Sequence, residues 1–361
     1  MKVTVIGGGH GSYAAAAELS EQGHEVCFWR RNKEAFSAVL TTKTVYIKDF
    51  KGERAVQIAH PTTDISEAIS GADLIIIPLP ATAHEALAQQ VAPLFEEGQV
   101  VFLTPGTFGS YIFLKAMREA GNTADITFAE TGTLPYLARK RTDDFVVVSG
   151  YAKRLPTGCL PARNSAKAFE IIKQAYPAIE PIEDALSGAL MNGGPIIHPP
   201  LIMMNVGALE HFEKWDIHNE GTTPSIRRVQ DALDGERIAI REALGYTAPH
   251  FPLANHYASE GEEWMYGRSA HEMIMDSGDW CEDIDPRSHR YVLEDIALGL
   301  SFLISMGKWA DVATPMASGL LTLSSTISGR NFYDTGRTLE NLGLDGLNNN
   351  QMTELLQSGH L

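Results

Sequence analysis

The pattern of apolar and polar positions divides the chain into two stretches with different periods. In the first, short apolar runs ended by glycine or proline alternate with segments of helical spacing, the rhythm of βαβ units that build a parallel sheet. Val3, Val5 and Ile6 form a buried strand that Gly7-Gly8-Gly9 ends; a helix is expected from about Ser12 to Leu19, and Gly23 closes it before a second strand, Glu25 to Trp29. The fully apolar Leu74-Ile75-Ile76-Ile77 has the composition of a central parallel strand. Further strands are expected at 99–104, 125–131 and about 178–182, with helices at 83–94, 111–120 and 165–175 between them. Alternating pieces broken by Gly52 predict a small hairpin or extra strand before the next unit. From about Asp184 the spacing is that of long helices, at 185–212, 225–244, 290–308 and 315–328, and no βαβ unit recurs. The expected fold class is α/β, a parallel-sheet domain over 1–183 followed by an all-helical domain over 184–361.

The first turn carries chemistry. A strand, the glycine run and a helix in this order match the Rossmann-type dinucleotide-binding unit: Gly7 permits the sharp exit, Gly9 lets a phosphate approach bare backbone, and the helix N-terminus offers N–H groups and partial positive charge. Gly7, Gly9, His10, Gly11 and Ser12 are therefore expected at the cofactor pyrophosphate, Ser12 standing where the third glycine of G-x-G-x-x-G is usual. At the end of the second strand, where an NAD enzyme usually presents an acid to the ribose 2′-hydroxyl, the chain has Arg30 and Arg31. Two guanidinium groups suit a 2′-phosphate, so NADP(H) is expected to be preferred to NAD(H). The plainer reading of the two arginines is a solvated strand end.

Later strand ends line up at the same edge. Pro80 stops the apolar strand and His84 follows it, either as a cofactor contact or as a surface histidine in the first turn of a helix. Thr107 and Glu130 close two further strands and are expected, with Asn192, to meet substrate. The basic run Arg139-Lys140-Arg141 reads as strand or as solvated turn.

Composition narrows the field. A 44% hydrophobic and 20% charged content is that of an ordinary globular protein, and 361 residues suffice for two cores. With a net charge of −16, nucleic acid and anionic membrane are poor partners. No apolar run is long enough to span a bilayer and the first strand is not a signal peptide, so a cytoplasmic location is expected, as is a homodimer. Cys27, Cys159 and Cys281 are scattered, odd in number and without a C-x-x-C pair, which argues against disulfides and structural zinc. The histidines lack the spacing of a helix-borne metal pair, and no metal is expected.

In the helical stretch, His198 sits among Gly193, Gly194, Pro195, Pro199 and Pro200, which are expected to interrupt the helix around it. Composition leaves two readings open, a catalytic imidazole facing a cleft or a hydrogen-bonded core histidine. Glu294 and Asp295 lie in an otherwise apolar helix, either on a solvated face or inward as a carboxylate that orients a histidine. Arg290 precedes Asp295 by five residues, about 140° round a regular helix, and shares a site with it only if it lies in the first turn or reaches across it.

GGGHGS at 7–12, LPATAH at 79–84, TPGT at 104–107, ETGTLPYLAR at 130–139, NGGPIIHP at 192–199, EGTTPSI at 220–226, RYVLEDIALGL at 290–300 and GRTLENLGL at 336–344 together resemble the octopine/nopaline (opine) dehydrogenase family over nearly the whole chain. They are most similar to the bacterial carboxyethyl-norvaline type. The resemblance implies a two-domain enzyme that uses reduced nicotinamide to couple an amino acid to a 2-oxo acid through an imine. It implies a dyad in which His198 is the general acid/base and Asp295 orients it, and an Arg290 that holds the cofactor pyrophosphate or a carboxylate. Ser12 and Arg30 depart from the pattern of NAD-using relatives and bear on cofactor affinity. A rival, glycerol-3-phosphate dehydrogenase, carries a catalytic lysine in an A-L-K-N segment, where this chain reads Ala189-Leu190-Met191-Asn192. A non-catalytic NADP-binding sensor is the alternative of another class.

Overall fold

The computed structural model describes residues 1–360 and divides into two compact units, Met1–Ala189 joined by the residues from 353 onward, and Leu190–Met352. The first unit holds an eight-stranded sheet in the order β12-β11-β8-β7-β6-β1-β2-β5, with β1 Lys2–Ile6, β2 Glu25–Trp29, β5 His60–Thr62, β6 Leu74–Ile77, β7 Val100–Leu103, β8 Thr127–Thr131, β11 Leu155–Leu160 and β12 Ile179–Pro181. Its pairings are parallel except for β8 with β11. β6 and β7 are buried at every position, which explains why they read as unbroken apolar runs.

A second sheet, β4-β3-β10-β9, is built from β3 Thr44–Asp49, β4 Gly52–Gln57, β9 Tyr136–Lys140 and β10 Phe145–Tyr151. The hairpin expected around Gly52 is therefore half of a sheet whose other half comes from ninety residues downstream. Helix α1, His10–Glu21, packs against strands of both sheets. Ala14, Ala15, Ala16 and Ala17 are all fully buried, and side chains this small let sheets close on opposite sides of one helix. Arg139 and Lys140 belong to β9, with Arg139 buried, so the run is not a solvated turn.

The division falls six residues beyond the expected 183/184 boundary. The helix Ala185–Ala189 packs on β8 and β11, where Gly158 and Gly188 allow backbone to meet backbone: a Cβ at either would collide with main-chain atoms of Asp184 or Glu130. Among the described residues no strand lies beyond Pro181. The second unit is helical, with Gly194–Met203 packed on Pro224–Ala243, on Pro315–Ser328 and on the π-helix Val292–Leu300 that leads into Ser301–Trp309. Inside it, buried Arg237 donates to Asp234 at 2.7 Å and to the carbonyls of Leu190 and His250, while Asp234 accepts the Leu253 amide. Among the described residues no helix is long and apolar enough to cross a membrane.

Candidate active site

In the first unit the glycine turn follows β1, and α1 begins at His10, two residues earlier than expected. Gly7 has φ +130°, and a Cβ there would collide with Ser12 and Leu79, so this position needs glycine on both counts. Gly9 is the N-cap of α1; no side chain caps it, and a Cβ built on it meets nothing within 4 Å. That open, uncapped helix start fits a pyrophosphate. The other turn residues do different work from the one expected. Ser12 is fully buried, its hydroxyl beneath Gly7 and not at the turn's surface. Gly11 leaves room for the Leu134 side chain, and His10 Nδ1 accepts the Lys140 backbone N–H at 2.8 Å, tying the turn to β9.

Arg30 follows β2 directly and lies so close over Gly8 that a Cβ there would strike it. It donates to the Tyr13 hydroxyl at 2.9 Å and to the Ala35 carbonyl, and is mostly covered, whereas Arg31 is exposed. Pro80 lies beyond the end of β6 and accepts the Ala83 amide. His84 opens the helix His84–Val91, as expected, but is fully buried and not at the surface: Nε2 lies 3.3 Å from the Leu79 carbonyl and the ring packs on Phe113. Glu130 is also fully buried and is no substrate contact in this arrangement. Its carboxylate accepts the amides of Phe108 at 2.8 Å and Ser110 at 2.7 Å. Those bonds hold Thr107 and Phe108 at φ +51° and +59°, a backbone conformation that a β-branched residue such as threonine adopts only under constraint.

In the second unit, His198 lies on the helix Gly194–Met203, which continues through Pro199 and Pro200 and is not broken there. Those prolines supply no N–H to the ladder, and the helix persists because it is packed on three sides. His198 Nδ1 and Asp295 Oδ2 are 2.6 Å apart, with side-chain exposures of 16% and 8%. Two glycines make the approach possible: a Cβ at Gly194 would strike the Asp295 carboxylate, and one at Gly299 would strike Pro195. Asn192, buried, accepts the Gly194 amide at 3.0 Å and so shapes the start of His198's helix. Burial pushes the Asp295 carboxyl up to about 7, opposed by the positive charges of Arg290 and His289.

Asp295 stands in π-helical backbone, whose i→i+5 bonding differs from the regular helix used to judge the Arg290 spacing. Arg290 acts on Asp295 electrostatically, lies 4.4 Å from the centroid of the Tyr291 ring and pairs with Glu282 at 3.5 Å. Sequence reasoning missed Tyr291, whose ring stacks on His198 with centroids 3.7 Å apart and planes at 15°, and whose hydroxyl donates to Glu282 at 2.8 Å. It also missed His218, edge-on to His198 at 6.1 Å. Tyr291 had a signal, its place beside Arg290; Glu282, in a loop, had none.

Residues 181–328 match the α-helical domain of NAD/NADP octopine/nopaline dehydrogenase, and residues 2–111 match the N-terminus of NAD-dependent glycerol-3-phosphate dehydrogenase. An opine dehydrogenase of Arthrobacter sp. (strain 1C) is 30% identical over 352 residues, 95% of either chain. The chain belongs to the opine dehydrogenase family. It is a dehydrogenase with an NAD(P)-binding domain ahead of the family's helical domain. Octopine dehydrogenase, solved with NADH and agmatine, has the same fold at a TM-score of 0.74 and 18% identity, covering 99% of this chain and 98% of that one. Yersinopine dehydrogenase with bound NADP+ does so at 0.66 and 13%, with the same coverage. The glycerol-3-phosphate dehydrogenase model matches residues 2–111, within the nucleotide-binding part, and the chain carries Met191 where that rival has its lysine.

Proposed function

We propose that this opine dehydrogenase couples an amino acid to a 2-oxo acid such as pyruvate, giving a secondary-amine dicarboxylate, and catalyses the reverse oxidation. The observation that carries the reading is the His198–Asp295 pair, its carboxyl buried and its imidazole partly so, with Arg290 acting on it. A bond from Nδ1 to Asp295 fixes the imidazole plane and makes Nε2 the nitrogen that exchanges protons with substrate. In the condensing direction His198 takes a proton from the attacking amine and delivers one to the carbinolamine oxygen, which leaves as water. Asp295 steadies the imidazolium between those steps, and the Tyr291 ring against its face restricts its rotation. Arg290 fits a substrate carboxylate, since a guanidinium binds two carboxylate oxygens in one plane. Glu282, its present ion-pair partner, is the group a substrate would exchange with.

Reduced nicotinamide supplies the hydride that reduces the imine carbon. Gly7 and Gly9 would hold its pyrophosphate at the start of α1, and Arg30 with Arg31 supports NADP(H) in preference to NAD(H). Cofactor oxidation measured with pyruvate alone, with amino acids alone and with both tests the reading. Oxidation that needs both supports it; oxidation with the oxo acid alone points to a ketone reductase, and none with any pair, despite tight cofactor binding, points to a cofactor-binding sensor or to a substrate outside the set tested.

A further inference from the structure

The turn between β9 and β10 brings a third charged group to Arg30. Asp143 Oδ1 lies 3.1 Å from Lys140 Nζ and 3.5 Å from Arg30 Nη1, so one carboxylate oxygen is shared between two cations that come from different sheets. Both cations lie over the buried Tyr13 ring, Lys140 Nζ at 4.9 Å and the Arg30 guanidinium carbon at 5.9 Å from its centroid. Lys140 is held there by its own backbone, whose N–H reaches His10 in the glycine turn. The cations are mostly covered, with side-chain exposures of 14% and 17%, while Asp143 is 58% exposed. The neighbouring Asp144 is engaged by the Thr142 hydroxyl at 2.7 Å. The arrangement is a two-cation anion site beside the glycine turn, at the end of β2 where the adenosine ribose is recognised in this fold, and a carboxylate of the same chain already fills it.

We propose that Lys140 joins Arg30 in binding the 2′-phosphate of NADP(H), and that Asp143 is a built-in competitor for that phosphate which sets how strongly NADP(H) is preferred. The inference rests on the NADP(H) reading above and adds its regulation. A carboxylate stands in for phosphate oxygens here: both are anions that accept from guanidinium and ammonium donors, and the phosphate carries more charge, so it displaces the carboxylate. NADH has no group to exchange with Asp143 and leaves the pair intact.

Dissociation constants for NADPH, NADH and adenosine 2′-monophosphate, measured on the wild type, Asp143→Asn and Lys140→Gln, test this without turnover. Asp143→Asn is expected to tighten NADPH and the nucleotide by roughly twofold to fivefold, the scale of an exposed ion pair, with NADH unchanged. Lys140→Gln is expected to weaken both phosphorylated ligands on the order of tenfold, again with NADH unchanged. An Asp143→Asn variant that binds all ligands as the wild type does, shifts them all alike, or loses only NADH affinity overturns the proposal. That last result would make Asp143 an acceptor for the ribose hydroxyl. The wild-type ratio of NADPH to NADH affinity reads the underlying preference separately, so a wild type that favours NADH refutes the preference while a selective Asp143→Asn shift still stands.

Discussion

Replacing Asp295 by asparagine should separate stability from catalysis. The carboxyl is pushed up to about 7 from an ordinary 3.8, chiefly by burial. Its protonated form is thus the one the fold favours, and the sign follows: the support it gives to folding is complete below about pH 4 and is lost as pH rises to about 7. At about 1.4 kcal/mol per pH unit the loss approaches ~4 kcal/mol for the carboxylate taken alone. The hydrogen bond with His198 at 2.6 Å returns part of that, leaving a net penalty of about 1–3 kcal/mol above pH 7. Asparagine has the same shape and no charge, so the variant should match the wild type near pH 4 and melt higher at pH 8. The gain is roughly 2–4 °C per kcal/mol for a unit of this size. Turnover should move the other way. Losing a charge-assisted bond of about 1.5–3 kcal/mol from the imidazolium lowers kcat by roughly tenfold to over a hundredfold. Thermal melts at pH 4 and 8, together with steady-state rates, read both effects. A variant that melts lower at pH 8 and keeps its kcat would refute both the buried-charge argument and the role of Asp295.

Three further substitutions probe the rest of the site. His198→Ala should reduce turnover by on the order of 10²–10⁴ while NADPH affinity, measured by fluorescence titration, stays near the wild-type value. Gly194→Ala places a methyl group against the Asp295 carboxylate, so kcat should fall without loss of cofactor affinity; an unchanged kcat would show that the pair tolerates displacement. Glu130→Ala leaves the amides of Phe108 and Ser110 without their acceptor inside a buried turn, at a cost of about 2–5 kcal/mol in chemical denaturation, where a merely surface carboxylate would cost almost nothing.

The βαβ opening was legible because its signals are local: alternation, a glycine turn and an apolar helix face fall within thirty residues. The second sheet was not, since β3 pairs with β10 across about a hundred residues, and no local pattern encodes that partner. Lys140 consequently read only as part of a basic run, strand or solvated turn, and not as a neighbour of Arg30, and Asp143 drew no reading at all. Burial of polar groups misled in the same way: Glu130 at a strand end and His84 just beyond one lie where ligand contact is favoured, but the Glu130 carboxylate and His84 Nε2 meet backbone inside the fold. For His198 and Asp295, the residue types and the family resemblance pointed to a dyad that composition alone left open. The helical wheel placed Arg290 about 140° away from Asp295, because π-helical bonding leaves no trace in composition.

Mass spectrometry of a reaction holding pyruvate, an amino-acid mixture and NADPH deuterated at the transferred position tests the central claim most directly. The account predicts a product whose mass is that of the two substrates combined less one oxygen atom, with one deuterium on the carbon that joins the new nitrogen bond, and its loss in His198→Ala. Deuterated lactate as the sole product, with no amine incorporated, would contradict it.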